Sequence, residues 1–590
     1  MTAGLRSPRP TPWRRYRAET MHGLFRWCVE RWPTAVALRH HDREINYAEL
    51  DAMSDGYAAA LAARGVGPGH FVPVLMPRTP EFIAVLLAVL KRGAAYAALD
   101  LRWPRPRLID MMTMLAAPVV VTEADGPWPL PVWRPALGSG IALPLRVSGD
   151  DASAVFFTSG SSGTPKAVVC AHRGTVRLFD DWDFAPVGSG AVMPQSLAAS
   201  WDAFGLDSWG VLLGGGTLIL LDEGTLELAR RLRELVRDEG ANTVFVPTAV
   251  FQMIVETDLD AFAGLRVVGT GGERLSPRHA AQFVRRHPGI PLHNMYGPVE
   301  STIAATDHVV QPADCDRPHG IPLGHALPGT DAYVLDGDRP CDVGEIGEIC
   351  LAGQGLAVGY WQDPALTARK FVSVTLDDVP TRLYRTGDLG SWTSDGLLQF
   401  HGRQDRQVKI RGHRVEPDEI ERTAQDVDGV GSAVVVPVGG ADGNWEELCL
   451  FYVSVGELSE EDLRAQLARR LPGYLVPGHV YRIDQLPVLE DRKVDRHELR
   501  AVFDRHCAAA QVDQPRTATE RLLAGIFTEV LGAPNVSRSA SMFTMGGNSL
   551  SVARMCVRID EEFGVSIPVS QVFEAATVAG IAGLLEGTDD

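Results

Sequence analysis

The chain has 590 residues, 45% of them hydrophobic and 22% charged, and carries a net charge of −18. That length makes about three to four domains of ordinary size, the apolar content excludes a disordered chain, and the acidic balance argues against nucleic acid or an anionic membrane as the main ligand. The cysteines, at 28, 170, 315, 341, 350, 449, 507 and 556, form no CxxC pair and no zinc-like grouping, so they read as reduced, mostly buried thiols of a cytoplasmic protein.

The N-terminal "MTAGLRSPRPTPWRRYRAET" is basic with no apolar run behind it, which is not a secretory signal. From about residue 20 to 400, apolar strand-like runs alternate with helical ones. "FVPVLM" (71–76) precedes "EFIAVLLAVLKRG" (81–93), an apolar stretch too short to span a bilayer and read as a buried helix. "PVVVTE" (118–123), "TLILLD" (217–222), "TVFVP" (243–247) and "LRVVGTGG" (265–272) predict buried parallel strands, with "TLELARRLRELVRDEG" (225–240) as a helix between them. This alternation predicts an α/β core. A β-rich part follows at 331–401, then a small α+β unit, a polar linker "AAAQVDQPRTAT" (508–519), and two amphipathic segments, 519–532 and 549–564, that predict an all-α bundle.

One stretch joins these elements to chemistry. In "FFTSGSSGTPKAV" (156–168) an apolar run passes into small hydroxyl residues and glycines and ends on one lysine. Such a loop can turn backbone N–H groups and hydroxyls onto an anion, with Lys166 adding charge. It lacks the GK[ST] of a P-loop, and taken alone such a loop is more often a mobile turn.

Further segments narrow the choice. "INYAEL" (45–50), "LKRGAAYAALD" (90–100), "NMYGPVE" (294–300), "GEIGEICLAGQGLAVGY" (344–360), "YRTGDL" (384–389), "GRQDRQVKIRGHRVE" (402–416), "LPGYLVP" (471–477) and "DRKVDR" (491–496) follow one another along the chain. With the loop, they resemble the adenylate-forming family, specifically nonribosomal peptide synthetase adenylation domains, nearly end to end. The resemblance implies an adenylation core over 20–404, a C-terminal lid subdomain over 405–507 and a linker over 508–516. The reaction it implies joins a carboxylate to the α-phosphate of ATP. Both reactants are anions, so cations must gather around them and hold them in line.

By the same resemblance, Thr158, Ser159, Gly160, Thr164 and Lys166 cover the β- and γ-phosphates. Tyr296 stacks on adenine beside Gly271 and Gly272, and Glu300 holds Mg²⁺. Asp388 accepts the ribose hydroxyls near Arg403, and Lys493 bridges the substrate carboxylate and the α-phosphate. Asp405 is the hinge about which the lid swings, bringing Lys409 and Gly412 to the site in its second state. There are two departures from the family pattern: Val299 replaces a threonine, and Asp491–Arg492 replaces the flexible turn before the lysine.

"SLAASWDAFGLDSWG" (196–210) resembles the segment that binds the acyl substrate, with Trp201–Asp202 as its aromatic–acid pair. A buried carboxylate asks for a cationic partner, and an α-ammonium group is one; Asp207 is the rival. The family's pocket positions fall on Ala203, Leu206, Val244, Gly269, Gly271, Met295, Ile303 and Ala304. Two glycines and two alanines in an uncharged wall suggest room for a large neutral side chain, aromatic such as Trp or Phe, with a branched aliphatic one as the alternative.

Finally, "MFTMGGNSL" (542–550) resembles a peptidyl carrier motif, implying a carrier domain over 517–586 with 4′-phosphopantetheine on Ser549; a plain helix N-cap serine is the other reading. The whole implies an amino-acid-adenylating ligase that loads its own carrier, a stand-alone loading module of peptide-antibiotic biosynthesis. It would need a phosphopantetheinyl transferase, a downstream condensation or tailoring enzyme and, by family analogy, an MbtH-like helper. Two other readings compete: a carboxylic acid–CoA ligase, and a non-catalytic carrier scaffold with a decayed adenylation fold.

Overall fold

The computed structural model describes residues 17–137, 145–160, 165–180, 188–222, 224–410, 412–439, 445, 447–488, 494–509, 513–531, 536–540, 542, 545, 549–565, 567, 568, 571, 572 and 575–586. The chain divides into two compact units. The first runs to Arg406 without 160–164 and 256–258, and the second holds those two segments and everything from Gln407. Among the described residues no helix is long and apolar enough to cross a membrane, and the cysteines with described side chains are free thiols.

Four sheets build the first unit. The largest is ordered Gly359–Tyr360, Lys166–Ala171, Ala152–Thr158, Ala95–Ala98, Phe71–Leu75, Val120–Thr122, Val132–Trp133. Its interior strand Phe71–Leu75 is buried at every position and pairs in parallel on both sides, which is why it reads as one apolar run rather than an alternation. Helix Pro80–Lys91 follows it. Thr79 Oγ1 accepts the Phe82 N–H at 3.3 Å and proline opens the first turn, a start signal written in the sequence. The helix is buried all round, as its unbroken apolar stretch requires.

A second sheet sets Thr217–Leu220 between Val36–His40 and Val192–Gln195, parallel to both. A third places Thr243–Pro247, Val267–Gly271 and Leu292–Tyr296 side by side in parallel, then turns antiparallel through Thr306–Val309. The β-rich part is antiparallel: Gly347–Gly353 and Leu398–Arg403 both pair with the long strand Val379–Trp392. The buried strands expected from the apolar runs are all present.

The second unit begins with the short pair Val408–Ile410 and His413–Val415 and helix Pro417–Gln425. Strands Val430–Val438, Glu447–Ser454 and His479–Arg482 form a three-stranded sheet with helices Glu460–Ala468 and Arg496–Ala509. The C-terminal helices Ala518–Leu531, Ser549–Phe563 and Val578–Glu586 close over their own apolar cluster, including Leu523, Phe527, Val552, Met555, Ile559 and Ile581. Part of the expected linker is tied to this bundle: Arg538 donates its backbone N–H to Asp513 O at 2.8 Å, and Asp513 donates its own to Ser537 Oγ at 3.2 Å.

Candidate active site

The glycine- and serine-rich loop closes a hairpin between Ala152–Thr158 and Lys166–Ala171. The strand Lys166–Ala171 follows it, so among the described residues no helix N-terminus opens directly after the loop. Thr158 and Lys166 are direct cross-strand partners at the mouth. Thr158 Oγ1 is buried with no hydrogen-bond partner among the described residues, and Ser159 beside it is also buried. An orphaned buried hydroxyl costs about 1–3 kcal/mol, and a phosphate oxygen would satisfy it. Gly160 is the last described residue before 161–164, so Thr164 lies outside the described residues.

Asp388 and Arg403 are likewise cross-strand partners, and their side chains form an ion pair through Oδ1 and Nη1. Tyr296, the last residue of its parallel strand, donates its hydroxyl to Asp388 Oδ2 at 2.6 Å. Burial and the neighbouring carboxylate hold the Tyr296 phenol well above its ordinary range, so it stays a donor. Arg403 reaches further, with Nε 2.7 Å and Nη2 2.9 Å from the two Asp405 oxygens. Tyr296, Asp388, Arg403 and Asp405 are thus one network, and the chain passes into the second unit two residues after Asp405. Each Asp388 oxygen keeps a further lone pair, which fits a ribose diol.

Tyr296 and Ala305 close a compact loop, with Ala305 donating its N–H to Tyr296 O at 2.8 Å. Within it Glu300 is fully buried on a short 3₁₀ turn, Val299–Ser301, and accepts the Tyr360 hydroxyl at 2.7 Å. A buried carboxylate oxygen is the hard ligand Mg²⁺ takes. Then comes a rarer geometry. Thr302 and Ile303 have φ of 53° and 73°, and Ala304 N–H donates to Thr302 O at 2.9 Å. This is a γ-turn centred on a β-branched residue in the left-handed region. Such residues cost about 1–3 kcal/mol each and persist only where their surroundings over-determine them.

The turn aims a donor: Ile303 N–H donates to Asp202 Oδ2 at 2.8 Å. Asp202 precedes a π-helical turn, Gly205–Trp209, that carries Leu206 and Asp207. The rival Asp207 is fully buried and accepts the N–H groups of Ser196 and Leu197, both at 2.8 Å, and the Ser208 hydroxyl at 3.0 Å. Burial pushes its pKa up to about 7. Asp207 therefore braces the segment before it, whereas Asp202 faces the 302–304 turn.

Gly271 lies opposite Met295, and Val244 opposite Val268, in the parallel sheet. The room expected beside the glycines is absent. A side chain on Gly269 would strike the Phe245 ring, and one on Gly271 would meet Met295 O at 2.5 Å. These glycines let neighbours close in rather than opening space. Gly205 likewise lies under the Ile303 side chain. Gly272, at φ 93°, occupies the left-handed region glycine favours.

Lys493 lies outside the described residues. Ser549 opens helix Ser549–Phe563, and its side chain is outside what is described. Sequence reasoning missed Tyr360, although it ends the quoted segment 344–360, and it missed Arg177, for which "HRGTVRLF" gave no signal.

Known proteins resemble this chain in sequence and in fold. The AMP-binding enzyme family matches residues 25–361, and the phosphopantetheine attachment site family matches 521–585. Gramicidin S synthase 2 of Brevibacillus brevis is 32% identical over 575 residues, and bacitracin synthase 1 of Bacillus licheniformis is 31% identical over 579. Each alignment takes in 96% of this chain but only 13% and 11% of the respective relatives, so the chain spans a small part of the proteins it matches. The structure of holo-PA1221, described as a protein containing adenylation and PCP domains bound to a vinylsulfonamide inhibitor, superposes with a TM-score of 0.86 at 27% identity, covering 97% of both chains. The chain therefore belongs to the AMP-binding enzymes, as an adenylation domain of the nonribosomal peptide synthetase type that uses ATP and Mg²⁺, followed by a carrier domain for 4′-phosphopantetheine.

Proposed function

We propose that the chain activates an α-amino acid as its adenylate, releases pyrophosphate, and passes the aminoacyl group to the thiol of an arm on Ser549, with AMP as the leaving group. The observation that carries the amino-acid reading is Asp202: a carboxylate at the acyl pocket, oriented by the Ile303 N–H, suits an α-ammonium group. ATP supplies an electrophilic α-phosphorus with pyrophosphate as leaving group, and Mg²⁺ spreads the phosphate charge. Thr158 and Lys166, set opposite each other, hold the β- and γ-phosphates with Ser159, Gly160 and Thr164. Glu300 offers its carboxylate to the metal. Tyr296, with Gly271 and Gly272, seats the adenine, and Asp388, fixed by Arg403 and Tyr296, takes the ribose. Lys493 neutralises the two reacting anions, and Asp405 is the hinge that brings it in.

A neutral substrate side chain is supported by the wall of Leu206, Val244, Met295 and Ile303. Large size, aromatic or branched aliphatic, rests on Ala203 and Ala304, since Phe245 takes the space beside Gly269. The carrier domain implies a phosphopantetheinyl transferase as partner. A cytoplasmic location, an MbtH-like helper and a downstream condensation or tailoring enzyme complete the proposal. Amino-acid-dependent exchange of labelled pyrophosphate into ATP, run across the proteinogenic amino acids, tests the reading and names the substrate. Exchange that ignores every amino acid would overturn it.

A further inference from the structure

Arg177 lies in helix His172–Phe179 and is among the largest fully buried side chains of the first unit. Its Nη2 donates to Ser301 O at 2.9 Å, Thr302 O at 3.3 Å and Ala304 O at 2.6 Å, and its Nη1 reaches Pro328 O at 3.4 Å. The three nearer carbonyls belong to the turn that holds Ile303 in its left-handed conformation. The fit is close on both sides: a methyl on Gly355 would strike the guanidinium, and one on Gly174 would come within 2.6 Å of Thr302 Oγ1. Thr302 Oγ1 also donates to Gly355 O at 2.8 Å.

Buried charge is expensive, and a guanidinium is retained inside a protein where its fixed fork meets several acceptors at once. Here those acceptors are carbonyls turned to one side by a strained backbone. Relaxing Ile303 to an ordinary conformation would turn the peptides on either side of it. The carbonyls would leave Arg177 and the Ile303 N–H would leave Asp202. The two contacts are therefore mechanically linked through one γ-turn.

We propose that Arg177 is a positioning residue for the acyl pocket: by gripping the 301–304 carbonyls it keeps the Ile303 N–H on Asp202, and so fixes the carboxylate that receives the substrate ammonium. This inference rests on the amino-acid reading of Asp202. It separates Arg177 from a residue that merely stabilises the fold, because its effect should fall on the acyl substrate and spare the nucleotide.

The test is pyrophosphate exchange by the full chain and by Arg177→Lys and Arg177→Gln, using the amino acid that the unaltered chain exchanges fastest. In Arg177→Gln the KM for the amino acid should rise about tenfold, while the KM for ATP stays within about twofold. Arg177→Lys should fall between, since one ammonium cannot span three carbonyls. Gly355→Ala, which crowds the guanidinium without removing it, should raise the amino-acid KM in the same direction. If Arg177→Gln does not fold, the lysine and Gly355 variants decide the matter. Unchanged KM values with only a lower melting temperature or active fraction would overturn the inference, as would an equal rise in both KM values; in either case the amino-acid reading stands. If the unaltered chain exchanges with no amino acid, the reading and the inference fall together.

Discussion

On one side of the first unit, Asp388 and Arg403 meet because two antiparallel strands set them opposite each other. On the other side, Asp202 meets Ile303 because a strained γ-turn bends one N–H toward it. The first arrangement, which we assign to the nucleotide, is built from regular sheet register. The second, assigned to the acyl group, is built from a π-helical turn, two left-handed residues and a buried guanidinium. A site that must accept the same nucleotide in every turnover can rest on register. The acyl arrangement is built here on irregular backbone, where one substitution would re-aim a donor without disturbing a sheet.

The sharpest break lies beyond both sides. Ser549→Ala should abolish arm attachment, read as no mass gain after treatment with a phosphopantetheinyl transferase and coenzyme A, while pyrophosphate exchange continues at the unaltered rate. A phosphopantetheine-sized gain in that variant would move the attachment elsewhere. Next comes the cation we propose for the chemistry. Lys493→Ala should lower exchange by about 10²–10³-fold with the melting temperature unchanged, the cost of a lost transition-state cation; an unaltered rate would remove Lys493 from the chemistry.

The two sides should then separate. Asp202→Asn should reduce kcat/KM for the amino acid by about 10²-fold, through loss of a charge-assisted contact, and leave the KM for ATP nearly as it was. Asp388→Asn should do the reverse. If either variant shifts both KM values alike, the division into a nucleotide side and an acyl side is wrong.

The smallest effect concerns Asp207. Its folded pKa of about 7 lies above the ordinary carboxylate value, so the folded chain binds more protons than the unfolded one between about pH 4 and 7. Its contribution to stability is therefore present below about pH 4 and lost as pH rises through 7. The unaltered chain should lose more melting temperature between pH 5 and 8 than Asp207→Asn does, by a few degrees at most. Equal losses would show that Asp207 does not titrate there.

The contrast also explains how far the sequence could be read. The strands at 71–75, 217–220, 243–247 and 267–271 are apolar runs of strand length bounded by turns, so their burial was legible. The nucleotide-side residues sit inside recurrent short segments, and each segment carries its residue whatever the rest of the chain does. The acyl side was only half legible. Asp202 could be placed by resemblance, but the glycines at 269 and 271 were misread as open space, because a missing side chain does not reveal whether a neighbour such as Phe245 moves in. Arg177 was illegible for a related reason. An arginine in an amphipathic helix ordinarily faces water, and nothing local says that carbonyls more than a hundred residues away are turned toward it.

The hairpin at the phosphate loop bears on how this enzyme could be altered. Thr158 and Lys166 are matched by the strands beneath them, and since turn type and loop length set a hairpin's register, a change in the number of residues between them would part the hydroxyl from the ammonium. Libraries that vary the loop residues while keeping their number are therefore the route to testing the phosphate grip we propose for it.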